Sequence, residues 1–363
     1  MAWNTGNNKS LQSQQEQKVL SVGAPVVYNP GAVGKPYHDG WNIERAYKDG
    51  VSGVTWVMRA IDAISGNQAR LPMQIRKDNP YNGEIVTSDR TNLLEVLNSV
   101  ANMGESSFAF RKRISSQLLM STRGVFIEVI RNNAGKIDSL HLLPPQDTAP
   151  IPNKNSFVSG YEVELKNGNK KTIKPENVVW IRNPHPLDPY RSITPLEAAG
   201  IAIEMEQLAK LYNRNFLQND GRPGGLLVLR GEIDFDDREE LESRFRGGPR
   251  RAGAVSVISS DDGADFIDTG ASPRDIAWSE MRSVTKEEIL AAFGVPESVI
   301  GNASGRTFSN ASEEGRVFWQ ETMMPHLMLI ARALDPLAGN EKYSDFNTEA
   351  VPILILSKQE REQ

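Results

Sequence analysis

The stretch of residues 272–337 constrains the fold most, because two helical patterns flank a polar break within it. In the first pattern, apolar residues recur at helical spacing over residues 276–293, which predicts one continuous helix. Gly294 and Pro296 predict its end, since glycine tolerates positive φ and the residue before a proline disfavours the helical region. We assign residues 273–296 to this helix.

A polar loop separates this helix from a second one. Residues 301–309 read Gly-Asn-Ala-Ser-Gly-Arg-Thr-Phe-Ser and contain few apolar side chains. Asn310, with Glu313 three residues later, predicts a capping box that opens the second helix at residues 311–334. Pro325 lies inside this helix. Its missing amide hydrogen and a clash with the preceding turn cost roughly 3 kcal/mol, so we expect a kink.

Another long helix is predicted for residues 196–219, which would span about 36 Å at 1.5 Å per residue. Thr194 is its expected N-cap, with Pro195 at the first helical position and Glu197 three residues after the cap. Its apolar stripe comprises Ile201, Met205, Leu208, Tyr212 and Phe216, and the charged residues that face elsewhere are Glu204, Lys210 and Arg214. Taken alone, such a stripe is equally typical of a core helix in a globular domain.

Upstream, residues 41–192 predict a strand-rich α+β module, preceded by a flexible arm at residues 1–40 that is rich in Gln, Asn, Gly and Pro. The dipeptide Asn167-Gly168 is the strongest hairpin signal in the chain. Residues 183–189 contain three prolines and predict a rigid linker. One helix is predicted from the apolar stripe of Val54, Val57, Met58, Ile61 and Ile64, and two more are predicted at 91–101 and 107–121. The predicted strands are at 71–75, 125–131, 136–143, 161–165 and 178–182.

A small β-α-β module is predicted after the long helix, with strands at 226–229 and 254–258 and a helix at 236–246. Four arginines cluster near its last junction, namely Arg244, Arg246, Arg250 and Arg251. Such a cluster is either a solvated face or a contact with an acidic or phosphate-bearing partner. A final strand is predicted for residues 351–356.

Composition and motifs argue against several functional classes. The chain has no cysteine and four well-separated histidines, so we expect no metal site. Its net charge of −5 argues against electrostatic clamping as the main source of DNA affinity. The glycine-rich segments at 31–36 and 301–307 lack the spacing and context of phosphate-binding loops, and no hydrolase or dinucleotide motif occurs. We therefore expect no catalytic residues and no cofactor, and no apolar run is long enough to predict a membrane span.

The order of the elements favours a ring of identical subunits. One long helix leads out to the distal module and another returns, and such helices can pack side by side around an axis. The polar loops would then meet at the central hole, where weak and exchangeable contacts with DNA phosphates are expected. The residues predicted to make these contacts are Asn302, Ser304, Arg306, Thr307 and Asn310.

Six groups of short motifs follow one another in a defined order. They are WVMRAI at 56–61 with LP at 71–72, LLPP at 142–145, SITPLEAA at 192–199, FLQNDGRPGG at 216–225, ILAAFGVP at 289–296, and FSN at 308–310 before FW at 318–319 and MP at 324–325. Together they resemble the portal proteins of tailed double-stranded-DNA bacteriophages, in the siphophage-type branch. The resemblance covers about residues 40–363.

The resemblance implies an α+β portal fold in a ring, usually of twelve subunits, at a unique capsid vertex of the virion. The implied division is a wing at 41–192, antiparallel stem helices at 193–220 and 273–296, a clip at 221–272, a tunnel loop at 297–310, a kinked wing helix at 311–342, and a C-terminal wing strand at 343–363 with the crown absent or truncated.

The implied role is a non-catalytic channel for packaging and ejection of the viral genome, assembled in the host cytoplasm. The implied partners are other copies of the chain, double-stranded DNA bound without sequence specificity, the terminase large subunit, the head–tail adaptor and the major capsid protein. On this template the four clustered arginines would contact the partners of the clip.

Two alternatives remain open at the level of sequence. The chain could be a metal-dependent DNA-processing enzyme, because sequence alone does not show whether carboxylates converge on one point. It could also be a non-viral ring scaffold without a nucleic-acid role.

Overall fold

The computed structural model describes residues 50–86, 89–218, 225–230, 256–260, 265–268, 278–301 and 308–354. The helices are α1 (Thr55–Arg70), α2 (Leu93–Asn98), α3 (Ser107–Met120), α4 (Pro195–Ala198), α5 (Gly200–Gln218), α6 (Trp278–Phe293), α7 (Phe308–Val317) and α8 (Met324–Ala338). A π-helical segment (Phe318–Met323) joins α7 to α8, and 3-10 turns lie at Pro175–Asn177 and Thr348–Ala350.

The strands are β1 (Met73–Lys77), β2 (Ile85–Val86), β3 (Val100–Asn102), β4 (Glu105–Ser106), β5 (Val125–Arg131), β6 (Ile137–Leu143), β7 (Thr148–Pro152), β8 (Val158–Glu164), β9 (Lys170–Ile173), β10 (Val178–Ile181), β11 (Gly225–Arg230), β12 (Ser256–Ser260), β13 (Asp265–Asp268) and β14 (Lys342–Phe346). This mixture of helices and strands confirms the predicted α+β class.

The main hydrophobic core is built around the packing of α1 against α3. From α1 it takes Val57, Ile61 and Ile64, and from α3 it takes Phe110, all at most 5% exposed. The stripe predicted along α1 is therefore confirmed for these positions. Met58 is the exception, since it lies at the edge of the buried face and is 55% exposed.

The helix predicted at residues 91–101 is shorter than expected, because α2 ends at Asn98 and the chain then enters β3. The amide side chain of Asn98 supplies the physical reason. Its Oδ1 accepts from the Met73 backbone nitrogen at 2.8 Å, and its Nδ2 donates to the Met73 carbonyl oxygen at 2.9 Å. These bonds tie the end of the helix to β1 and favour an exit from the helical path. The helix predicted at 107–121 is confirmed as α3.

Three antiparallel three-stranded sheets accompany these helices, in the orders β14–β1–β2, β10–β5–β6 and β7–β8–β9. The predicted hairpin of residues 125–143 is confirmed as β5 and β6. The predicted turn between β8 and β9 is also confirmed, with Gly168 at φ +79°. A side chain at that φ would be strained, which is why Asn-Gly marks the turn.

The C-terminal strand lies earlier than predicted. It is β14, which pairs with β1 and places Phe346 opposite Met73. The strand predicted at 351–356 is wrong over its described part, because residues 352–354 are helical and the Leu354 nitrogen donates to the Val351 carbonyl oxygen. Pro352 explains the difference, since it has no amide hydrogen to donate to a sheet.

A smaller aromatic core fills the space beside the β5 and β8 strands. Trp180 stacks on Phe126 with ring centroids 5.5 Å apart, and Phe157 stacks on Tyr190 with centroids 4.5 Å apart. The Tyr190 hydroxyl also donates to the Phe157 carbonyl oxygen at 2.9 Å. The end of the proline-rich linker is therefore fixed to this core through Tyr190, which is 1% exposed.

The predicted long helix begins as expected but is interrupted. The Thr194 hydroxyl accepts from the Glu197 nitrogen at 3.2 Å, which confirms the N-cap. Ala199 then has ψ 3°, so α4 ends at residue 198 and α5 starts afresh at Gly200. Glycine is a poor helix former, and here it follows directly on the break.

α5 and α6 pack against each other in opposite directions. The Glu206 carboxylate lies 3.5 Å from the Thr285 hydroxyl midway along the pair. Ala198, just before α5, lines the same groove as Ala291 near the end of α6. Residue numbers therefore rise along one helix as they fall along the other, in agreement with a chain that leads out and returns.

The helix after the polar loop starts at Phe308, three residues earlier than the capping box predicted. Asn310 is therefore in the first turn and is not the N-cap, because residues 308 and 309 are already helical. Next to Pro325, where a kink was predicted, the structure has the π-helical segment, which ends at Met323, and α8 follows directly with Pro325 in its first turn. Because the residues before Pro325 are already helical, its missing amide hydrogen removes one hydrogen bond to the preceding turn, and the π-helical segment lies where that bond is lost.

The distal module contains a three-stranded sheet in the order β12–β11–β13. β11 pairs parallel with β12, with Leu226 opposite Ser256, and antiparallel with β13. Parallel neighbours need a crossover connection, which agrees with the predicted β-α-β order. The helix predicted at 236–246 lies outside the described residues, and β13 was not predicted.

Candidate functional site

Most residues predicted to contact DNA or a partner lie outside the described part of the chain. They are Asn302, Ser304, Arg306, Thr307, Arg244, Arg246, Arg250 and Arg251. Asn310 is described and is exposed in the first turn of α7. Of the tunnel loop predicted at residues 297–310, the structure therefore describes residues 297–301 and 308–310 and the elements that hold them.

The entry to the loop is a compact turn at residues 294–301. Backbone nitrogens donate across it from Val299 to Pro296 at 3.1 Å, from Ile300 to Glu297 at 3.2 Å, and from Gly301 to Ser298 at 3.2 Å. Val295 and Ile300 are buried in the main core. The turn is thus an ordered platform from which the loop departs.

Gly294 connects this platform to the π-helical segment. It has φ +64°, as the sequence predicted for the end of α6. The Thr322 hydroxyl donates to the Gly294 carbonyl oxygen at 2.6 Å, and a Cβ on Gly294 would lie 2.5 Å from the Thr322 Oγ1. The approach of Thr322 and the positive φ both require glycine at this position.

Two further contacts hold the same turn. The Ser298 hydroxyl donates to the Glu314 carboxylate at 2.6 Å, which joins the segment before the loop to the helix after it. Arg59, on α1, donates from its guanidinium to the Ile300 carbonyl oxygen at 3.5 Å. The base of the loop is therefore connected both to α1 and to α7.

α5 exposes several apolar side chains on the surface of the subunit. Ile201 is 68% exposed, Leu208 is 50% exposed and Met205 is 39% exposed, and Glu204 lies on the same face. The sequence left open whether this stripe belongs to a core, and these three apolar residues do not; the prediction that Glu204 faces elsewhere is wrong. The residues of α5 that pack inward are Ala202, Ile203, Glu206 and Ala209.

A groove of about 480 Å³ lies where α4 and the end of α6 meet α3 and α8. His326 lines it, and its Nε2 lies 2.6 Å from the Oγ of Ser115, a fully buried residue of α3. Desolvation lowers the pKa of His326 to about 4, because burial disfavours the charged imidazolium. His326 is therefore neutral at pH 7, and its contact with Ser115 links α8 to α3.

Among the described residues, no group of three or more His, Asp or Glu side chains is arranged to hold a metal ion. The same part of the chain has no helix that is both long enough and apolar enough to cross a membrane.

Sequence reasoning identified the loop but missed the side chains that fix its base. Ser298, Thr322 and Arg59 carried no motif and no periodicity that set them apart. The partners Ser298 and Glu314 are 16 positions apart, whereas Arg59 and Ile300 are 241 positions apart. Only the glycine before Val295 and Pro296 gave a local signal for this region.

Several known proteins are similar to this chain in sequence or in fold. The sequence model of the family described as phage portal protein matches residues 55–361. An uncharacterized protein of Rickettsia bellii (strain RML369-C) is 25% identical over 324 residues, covering 85% of this chain and 80% of that one. The portal protein of Enterobacteria phage HK97 is 23% identical over 285 residues, covering 76% and 64%. A solved structure of the neck of a native gene transfer agent particle, computed with C12 symmetry, matches 91% of this chain and 90% of its own with a TM-score of 0.65 and 23% identity.

Proposed function

Because this chain belongs to the phage portal protein family, we propose that it is the subunit of a portal ring that forms the DNA channel at one vertex of a capsid or capsid-like particle. Double-stranded DNA enters through the ring during packaging and leaves through it during ejection. We assign the chain a structural role in this process and no catalytic one.

The exposed apolar face of α5 is the main observation that supports assembly into a ring. Ile201, Met205 and Leu208 are outside the core of the subunit, and an apolar helix face left in water favours association. A second copy set beside the first about a rotation axis would cover it. Necks of gene transfer agent particles that match this chain were computed with C6 and with C12 symmetry, which supports a ring and is compatible with twelve copies.

The tunnel loop is proposed to face the DNA. Its ends depart from the platform at residues 294–301 and from α7, and its sequence carries small polar residues and a single arginine, Arg306. One cation per subunit gives weak, sequence-independent attraction to phosphates, which suits DNA that has to move. Asn302, Ser304, Thr307 and Asn310 are the other proposed contacts.

The distal module is proposed as the docking end of the ring. By the family arrangement it would meet the terminase large subunit during packaging and the head–tail adaptor afterwards, while the wing contacts the major capsid protein. The arginines at 244, 246, 250 and 251 are the proposed contacts with these partners. The proposed location is the virion vertex, after assembly in the host cytoplasm.

Images of the purified protein test the ring directly. We expect negative-stain electron microscopy to show annular particles with a central hole, and their mass to correspond to about twelve copies of a 40.2 kDa chain. A monodisperse monomer at micromolar concentration would contradict the proposal, and metal-dependent cleavage of DNA by the pure protein would favour the enzyme alternative.

Replacement of Arg306 by Ala is expected to leave ring assembly unchanged and to lower the yield of DNA-filled heads by at least about threefold, because each subunit loses its phosphate contact. The measurement compares filled and empty heads after packaging with wild-type and variant rings. Arg306→Lys is the matched control and should stay near the wild-type yield, since it keeps the charge. An unchanged yield for Arg306→Ala would remove the reason for placing this side chain in the channel.

A further inference from the structure

The base of the tunnel loop contains a partly buried ion pair whose purpose the channel role does not explain. Lys286 on α6 lies 2.5 Å, Nζ to Oε1, from the Glu297 carboxylate in the platform turn. The two side chains are only 15% and 19% exposed. Solvent and salt screen such a pair far less than a surface pair.

An aromatic ring completes this arrangement. The Lys286 ammonium lies 5.3 Å from the centroid of the Trp56 ring on α1. A cation at this distance over an indole is attracted by the ring electrons. Lys286 therefore contacts α1 and the platform at the same time, so that one charge joins α6 and the turn that follows it to a helix more than 200 positions earlier in the chain.

The pair lies directly before the loop, where it can restrain the residues that lead into it. Glu297 supplies the carbonyl oxygen that accepts from the Ile300 nitrogen, and its neighbour Ser298 accepts from the Gly301 nitrogen. If Glu297 shifts, the hydrogen bonds of the last ordered residues before the loop shift with it. The Ser298–Glu314 bond would carry the same displacement to α7, on the other side of the loop.

We propose that Lys286, Glu297 and Trp56 form a clamp that sets the position of the tunnel loop relative to the returning stem helix and α1. The three are positioning residues, since none of them is among the proposed DNA contacts. The physical half of this proposal, that the three residues restrain the platform turn, rests on the contacts alone. Its consequence for DNA passage rests on the proposed function.

The physical half is tested by hydrogen–deuterium exchange on the assembled protein. Replacing Lys286 by Met removes the charge and keeps much of the side-chain length, and Glu297→Gln removes the opposite charge. Either change is expected to speed exchange in peptides that contain the amides of residues 299–301 by about tenfold, because opening of the platform becomes easier. Unchanged exchange in both variants would overturn the clamp.

Matched variants separate pairing from general damage. Lys286→Arg should restore slow exchange, since a guanidinium can pair with Glu297 and stack on Trp56. Lys171→Met is the control, because it removes a lysine from another ion pair, with Glu128 at 3.1 Å on the wing. It should leave the exchange of residues 299–301 unchanged. Equal effects of Lys171→Met and Lys286→Met would also overturn the clamp.

The functional half is tested by packaging with the same rings. We expect Lys286→Met to lower the yield of filled heads while ring images stay normal, and Lys286→Arg to recover it. Faster exchange with a normal yield would overturn the assignment of the clamp to DNA passage. A normal yield for Lys286→Met together with a reduced yield for Arg306→Ala would show that the loop contacts DNA without needing the clamp, so the two failures can be told apart.

Discussion

Glutamates in place of Ile201 and Leu208 are expected to abolish ring assembly while the subunit stays folded. Both side chains are at least half exposed in the subunit, and substitutions at such positions usually change stability by about 0.5 kcal/mol or less. Glutamate is also a good helix former. At a subunit interface, however, each unpaired carboxylate would be taken out of water at a cost of several kcal/mol, and the cost recurs at every interface of the ring.

The measurement is the mass distribution of the purified double variant, by size-exclusion chromatography with light scattering, together with circular dichroism. We expect the ring fraction to fall more than about tenfold at unchanged helix content, which corresponds to a loss of more than 1.4 kcal/mol in association. The double variant Ile201→Leu and Leu208→Met is the control and should form rings, since it keeps an apolar face. Rings from the double glutamate variant would show that this face is not the contact between subunits.

The second large expected effect is a loss of folding stability at acidic pH. Burial lowers the pKa of His326 to about 4 in the folded protein, whereas an unfolded histidine has a pKa near 6.5. Between these values the unfolded chain binds more protons than the folded one, so stability is full above pH 6.5 and is lost as the pH falls toward 4. The expected loss from this one group between pH 7 and pH 4.5 is about 2 to 3 kcal/mol.

Urea unfolding at a series of pH values from 7 to 4.5 measures this loss. Carboxylates also titrate at the lower end of this range, so the wild type is compared with His326→Gln. The glutamine amide can still form a hydrogen bond with Ser115 but carries no titratable proton. We expect the free energy of unfolding of the variant to fall by about 2 kcal/mol less than that of the wild type. Identical pH profiles would mean that His326 does not govern the acid response.

Local signals in the sequence were sufficient where one or two residues decide the backbone. Thr194 and Glu197 predicted the N-cap of α4, Gly294 predicted the end of α6, and Asn167-Gly168 predicted the turn between β8 and β9. The capping box at Asn310 failed because α7 begins three residues before the predicted first helical residue, so that Asn310 is already inside the helix. Six groups of ordered motifs identified the family, which the match over residues 55–361 confirms.

The sequence by itself determined two hairpin turns, the N-cap at Thr194 and the end of α6, because each depends on residues only a few positions apart. The α+β class followed from the order of the predicted elements. The tertiary structure alone decided which face of α5 is inside the subunit. A 3.6-residue period reports that a face is apolar and does not report whether the subunit or its neighbour covers it. It also decided that Lys286 meets Trp56 and that Ser115 meets His326, since these pairs are separated by more than 200 positions and only packing brings them together.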